Sequence, residues 1–305
     1  MNKLFLTLIF TLFCSFPITA QQSDTTVKVQ EYHFNDTVYY YPKPRPFAFI
    51  TKFPFTYSVA ARNVFRKQNI KPFAIIAAST AVLILSDQQI ANKVQQFSRH
   101  IGVDPTREYG KSLSLNVGNL KLDIYDTPKN LNTWLYSVGE GIPPLVIAGG
   151  LWGFGLIKKD YRSISTASQI VQATLAAGFV TQFIKRTTGR ESPFRATQPA
   201  GVWRPFPKPS VYQNDVSRYD AFSSGHMGTM VATYVVITEN YPEKKWIRPV
   251  GIGLMSLVGL SMINTDVHWA SDYPMAVGVG YAMGKATVHL NRFIKGEPIV
   301  KRKRR

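Results

Sequence analysis

The sequence predicts an all-α protein: a helical bundle of about six core helices, membrane-associated, behind an irregular N-terminal arm. Two observations carry this. From residue 72 onward, long apolar stretches alternate with short polar connections, and they are too long for strands. Hydrophobic residues make up 45% of the 305 residues, enough for a packed core without disulfides. A mean hydropathy of −0.07 is low for a chain that lies wholly in a bilayer, so the sequence alone does not separate a tight soluble bundle from a membrane-embedded one.

Taken in order, residues 1–20 read as a signal peptide. Lys3 gives the charged start, and Leu4 to Phe16 is apolar but short for a membrane span. Ile18-Thr19-Ala20 gives a small-residue exit. Export is therefore expected. Cys14 is the single cysteine and falls in this segment, so the mature chain has neither a disulfide frame nor a thiolate metal site. Residues 21–70 form the expected arm. Val27 to Val29 and Thr37 to Tyr41 suit short strands, and Pro42, Pro44 and Pro46 interrupt them. The arm's aromatics, among them Tyr39, Tyr41, Phe47 and Phe53, suit either a membrane interface or packing on the protein itself.

Residues 71–133 are expected to hold a leading helix and a long connection. Phe73 to Leu85 is almost wholly apolar, with an amphipathic continuation from Asp87 to Phe97. Residues 102–132 are polar and read as a connection with some helix. The segment 134–295 forms the main helical domain, with helices expected near 134–157, 164–185, 226–240, 247–264 and 274–292. Five prolines, from Pro193 to Pro209, keep the 186–225 loop out of helix. Residues 296–305 are a basic tail.

The charge is +18, from 36 basic and 18 acidic residues. The five terminal residues Lys301 to Arg305 are all basic, which suits anionic headgroups or a solvated tail. No nucleic-acid-binding motif accompanies them, so nucleic acid is not an expected partner.

Three clusters carry candidate chemistry, each at the end of a predicted helix. Lys185 to Pro193 leaves the 164–185 helix. Ser224-Gly225-His226 opens the next one. Asn264 to Pro274 joins the last two. A helix N-terminus offers unpaired N–H groups and partial positive charge. Ser224 adds a hydroxyl, Gly225 lets the backbone approach an oxyanion, and Lys185 and Arg190 add charge. Together these describe a phosphate pocket. Asp272 accepting from one nitrogen of His268 would fix its tautomer and leave the other as a nucleophile. His226 would then serve as general acid. Of five histidines, only these two have such surroundings.

The clusters resemble the three-part signature of the type 2 phosphatidic acid phosphatase family, which includes bacterial non-specific acid phosphatases and vanadium haloperoxidases. Its pattern is Lys, six residues, Arg-Pro; then Pro-Ser-Gly-His; then Ser-Arg, five residues, His, three residues, Asp. Lys185 and Pro193, Ser224-Gly225-His226, and Ser261, His268 and Asp272 are in register. The resemblance covers roughly residues 134–292. It implies His268 as phosphorylated nucleophile, Asp272 as its orienter, His226 as acid, and Lys185, Ser224 and Gly225 as phosphate ligands, with no metal or other cofactor. It also implies a six-span membrane form with the site on the outer face.

Two family arginines fall instead on Ser192 and Met262, and Ser223 replaces a proline. Arg190, and after it Arg195, are the expected replacements in the cradle. The expected activity is hydrolysis of a phosphate monoester or diphosphate, lipid-linked, in a bacterial envelope with the site facing the periplasm. The partner is a phosphorylated lipid or small phosphate ester. A soluble periplasmic acid phosphatase, a vanadate-dependent haloperoxidase and a non-catalytic lipid-headgroup binder are the alternatives. Cleavage of residues 1–20 puts residue 21 outside, and six spans from residue 72 would then put the three clusters inside. One apolar segment therefore does not span, or the bundle sits in the periplasm; the expected non-spanner is 72–86.

Overall fold

A computed structural model describes residues 28–34, 37–45, 47–64, 66–117 and 120–294. The expected signal segment, Cys14 and the basic tail 296–305 lie outside the described residues. The protein is mostly helical, as expected from its apolar periodicity.

The arm is more ordered than its prolines suggest. Strand β1 (Val29–Phe34) pairs antiparallel with β2 (Thr37–Pro42), and the short strand Phe293–Ile294 adds to the β2 edge. Alternation sets the faces: Tyr41 is fully buried and its hydroxyl donates to Asn240 Oδ1 at 2.9 Å. Tyr32 meets Tyr41 edge-on at 5.4 Å. For these rings the protein, not a membrane, is the packing partner. Two helices follow, α1 (Ala48–Thr51) and α2 (Phe53–Val64), where an irregular chain was expected.

Helix α3 (Ile70–His100) is continuous through the expected apolar and amphipathic halves. Phe73, Ile75, Val82 and Leu85 are exposed, whereas Asp87, Ala91 and Ser98 are buried. The expected non-spanner 72–86 is the first part of this helix, and the stretch Lys67–His100 is long and apolar enough to cross a membrane, because the helix does not stop where the polar residues begin. A correction concerns 102–132. Instead of a connection with some helix, it forms a hairpin of β3 (Tyr109–Val117) and β4 (Leu120–Pro128). The alternation Ser112-Leu113-Ser114-Leu115 has the strand period of two.

The predicted 134–157 helix is two: α4 (Leu131–Val138) and α5 (Ile142–Lys158), bent by 61° at the Gly139-Glu140-Gly141 break. Helix α6 (Tyr161–Thr188) starts on Asp160, whose carboxylate accepts from the Arg162 N–H, and ends on Gly189 in the left-handed conformation. The proline-rich loop holds one short α-helix, α7 (Pro209–Asn214), between two 3-10 turns, with Pro209 at a first-turn position that needs no N–H donor; no helix was expected there. Helices α8 (Gly225–Asn240), α9 (Ile247–Asn264) and α10 (Asp272–Asn291) complete the bundle.

Helices α8 and α10 pack closely because glycine allows it. A Cβ at Gly280 would sit 2.4 Å from the Gly228 carbonyl oxygen, and one at Gly284 would sit 2.9 Å from the Val235 side chain. The core is built from small residues of α6 (Ala173, Ala176, Ala177) against Ala232, Val236 and Ala286. Among the described residues, α3 and α9 are each long and apolar enough to cross a membrane, and α4 with α5 would pass together as one broken span.

Candidate active site

Three helix ends converge. Helix α8 begins at its N-cap Ser224, whose Oγ accepts from the Met227 N–H at 3.3 Å, and the Ser224 N–H donates to the Asp272 carbonyl at 3.3 Å. The N-terminus of α8 is thus fixed against the start of α10. A Cβ at Gly225 would meet only a Thr181 methyl, at 3.8 Å, so the first turn of α8 is open. His226 is the second residue of α8. Its ring lies 5.9 Å from that of His268, at 74°, and 5.0 Å from that of Tyr136.

His268 lies in the short α9–α10 connection and is buried. Its Nδ1 is 3.3 Å from Asp272 Oδ2, which also accepts from the Trp269 N–H at 2.8 Å. Asp272 occupies the first turn of α10, where a carboxylate is favoured by the helix dipole. The pairing leaves His268 Nε2 as the ring nitrogen available for chemistry. Two imidazoles at this separation can act on opposite ends of one phosphoryl group.

Lys185, near the C-terminus of α6, is buried, and its Nζ donates to Asp220 Oδ2 at 3.2 Å. Desolvation holds the His226 pKa well below the usual imidazole range, and the positive charges of His268, Lys185 and Arg107 add to the effect. Cationic groups therefore converge on His226, an arrangement that an anionic ligand would relieve.

The two expected replacement arginines do not enter this cradle. Arg190 is fully buried behind the His268–Asp272 pair. One terminal nitrogen donates to Asp272 Oδ1 at 2.8 Å and to Ser271 Oγ at 2.6 Å. The other donates to Asp87 Oδ2 at 2.6 Å and to the Ala200 carbonyl at 2.8 Å. The guanidinium also lies over Trp203 and Trp269, 4.8 and 5.3 Å from the ring centroids. Both terminal nitrogens are engaged by protein oxygens, so the residue expected in the phosphate cradle is held behind the His268–Asp272 pair, with its Nε unpartnered. Arg195 is half-exposed and pairs with Asp215 at 3.6 Å, on the surface of the loop. The positions in register with the family arginines are apolar or small: Met262 is fully buried with its sulfur 4.0 Å from Ser224 Oγ, and Ser192 is buried with its N–H on the Ser217 carbonyl.

Sequence reasoning missed several neighbours. Asp87 reaches the site from α3, and its only signal is a lone acid between apolar and amphipathic segments. Arg107, ahead of β3, stands 5.2 Å over the Tyr136 ring. Tyr273, whose hydroxyl donates to the Gly259 carbonyl at 2.7 Å, lies 6.4 Å from the His268 ring. None of these sits in a recognisable spacing.

Residues 166–295 match the family model of the PAP2 superfamily. That stretch contains all three clusters. No curated protein matches the chain. Among solved structures, the chain is similar to one titled as the first transmembrane PAP2 type phosphatidylglycerolphosphate phosphatase from Bacillus subtilis. The identity is 15% and the TM-score 0.36, over 84% of this chain and 98% of that one.

Proposed function

We propose that the protein, whose residues 166–295 match the family model of the PAP2 superfamily, is a phosphatase that hydrolyses a lipid-linked phosphate monoester or diphosphate through a phosphohistidine on His268. The observation that carries this is the His268–Asp272 hydrogen bond with the His226 ring 5.9 Å away at the open start of α8.

In this reading the phosphoryl group rests on the N–H groups of the first turn of α8, with Ser224 and Lys185 beside it. Arg107 adds charge from the Tyr136 side. His268 Nε2 attacks phosphorus while the bond to the leaving oxygen breaks, and His226 gives that oxygen its proton. Asp272 holds His268 in the required tautomer and stabilises the charge that develops on the ring. Water then loses a proton to His226 and attacks the phosphohistidine. The P–N bond breaks and inorganic phosphate leaves. His226 needs its proton for the first step, and the negative charge of a bound phosphate opposes the depression of its pKa.

A lipid-linked substrate is favoured by the surroundings. A cavity of about 860 Å³ runs between α8, α9 and α10, lined by Met227, Val231, Met255, Ile263 and Tyr273. Neither His226 nor His268 lines it, but Tyr273 does, and its ring lies 6.4 Å from that of His268. The reading places the protein in a bacterial envelope, exported and with the site facing the periplasm.

The test is hydrolysis of a panel of phospholipid phosphates and p-nitrophenyl phosphate by wild type and His268→Ala in detergent. Release of inorganic phosphate by the wild type alone is expected, with an acid-labile phosphoenzyme. Equal rates for the two proteins would remove the mechanism.

A further inference from the structure

We infer that Asp87, acting through Arg190 and Ser271, is a positioning residue for the His268–Asp272 pair, so that helix α3 sets the nucleophile although it lies outside the segment that carries the three motifs. The inference rests on the phosphatase reading above.

Asp87 is 1% exposed and Arg190 and Asp272 are 0% exposed, so the three charges meet out of water. Both oxygens of Asp87 are engaged. Oδ1 accepts from the Ser271 N–H at 3.0 Å, and Oδ2 accepts from Arg190 at 2.6 Å and from the Ser271 hydroxyl. Arg190 in turn donates to Asp272 Oδ1 at 2.8 Å. That contact turns the carboxylate so that Oδ2 is left for His268 Nδ1 and the Trp269 N–H. The chain of contacts is continuous: Asp87, Arg190, Asp272, His268. Ser271 closes it into a ring, since its hydroxyl touches both Asp87 and Arg190 and its backbone leads directly into Asp272.

The setting argues for function rather than for stability alone. Helix α3 is apolar enough to cross a membrane, and an ionisable residue within such a helix is costly unless it faces inward and is paired. A packed apolar residue would stabilise the α3–α10 contact as well as a buried ion pair does. What an apolar residue cannot do is direct a guanidinium. Partners behind a ligating or reacting group fix its orientation, and losing one commonly costs about 10- to 100-fold.

The experiment compares full-length wild type, Asp87→Asn, Ser271→Ala and His268→Ala in detergent, with p-nitrophenyl phosphate as probe. Asp87→Asn keeps an acceptor for the Ser271 N–H but turns an amide toward Arg190. A kcat lower by about 10- to 100-fold is expected, with KM within about twofold, because the phosphate cradle is untouched. Single-turnover release of p-nitrophenol, which reads formation of the phosphohistidine, should slow by the same factor. Ser271→Ala, a milder change that keeps both charges, should show a smaller loss of the same kind. Wild-type kcat per folded molecule in Asp87→Asn, with His268→Ala inactive, overturns the positioning role and leaves the phosphatase reading standing. If Asp87→Asn does not fold, unchanged kcat in folded Ser271→Ala overturns it equally. Wild-type turnover by His268→Ala overturns the phosphatase reading and the positioning role with it.

Discussion

His268 and His226 differ in how they are held, and the difference sets what each substitution does. His268 is buried and bonded to Asp272, whereas His226 is partly exposed among positive groups. In the proposed mechanism His268→Ala removes the nucleophile itself, so a loss on the order of 10³-fold or more in kcat is expected from phosphate-release assays. His226 also makes a pH prediction. Its pKa falls from 6.5 to about 3 on folding. The unfolded chain therefore takes up a proton that the folded protein refuses. Stability should decline as pH drops below about 6.5 and continue to decline toward about 3. Thermal unfolding in detergent at pH 7.5 and pH 5 should show a larger drop in Tm for wild type than for His226→Asn, which has no such proton to bind.

The elements decide which charges can reach the site. Helix α6 ends at Gly189 with φ of +59°, and a Cβ there would lie 1.8 Å from the Arg204 carbonyl oxygen. This one residue turns the chain so that Lys185 stays in the bundle while Arg190 enters the core behind Asp272. Gly189→Ala adds a left-handed cost of about 1–2 kcal/mol and a backbone clash besides. A lower Tm and a fall in kcat are expected together, since the loop must shift at both ends. The tight α8–α10 contact makes a similar demand. Gly280→Leu would drive a side chain into the Gly228 carbonyl and push the Ser224 N-cap away from Asp272. Loss of both folded protein and activity should follow, read by size-exclusion chromatography and phosphate release.

At the scale of the molecule, one buried arginine links α6 to the end of α8 and stacks on the arm. Arg162 donates to the Asn240 carbonyl at 2.7 Å and to both Glu243 oxygens at 2.8 Å, and its guanidinium stacks 3.9 Å over Tyr241 and 4.6 Å over Phe34. Arg162→Ala should lower stability by about 1.5–3 kcal/mol through the charged hydrogen bonds alone. The cluster is remote from His268, so kcat per folded molecule should be unchanged. Helices α3 and α9 are each long and apolar enough to cross a membrane, and α4 with α5 would pass together as one broken span. Reporter fusions or protease protection at residues 60, 110 and 210 will map their arrangement; accessibility of residue 210 from the periplasm is expected if the site faces that side.

Much of the bundle was legible because long apolar helices and their caps are local features. Residues 164–185, 226–240, 247–264 and 274–292 each lie close to a helix of the structure, and Ser224 and Gly189 mark ends that capping chemistry explains. The hairpin at 109–128 was missed although its alternation was present, since a polar, glycine-containing stretch reads as a loop until it has a partner strand. The chemistry divides in the same way. His226 follows Ser224-Gly225, and His268 and Asp272 stand four apart, so the sequence by itself determined which imidazoles and carboxylate to consider. Where Arg190 points was decided only by tertiary structure. Nothing near residue 190 in the chain announces Asp87, 103 positions away, whose carboxylate draws the guanidinium inward. A buried charge goes to the counter-charge that the fold supplies, and that partner lies on a helix the motif does not include.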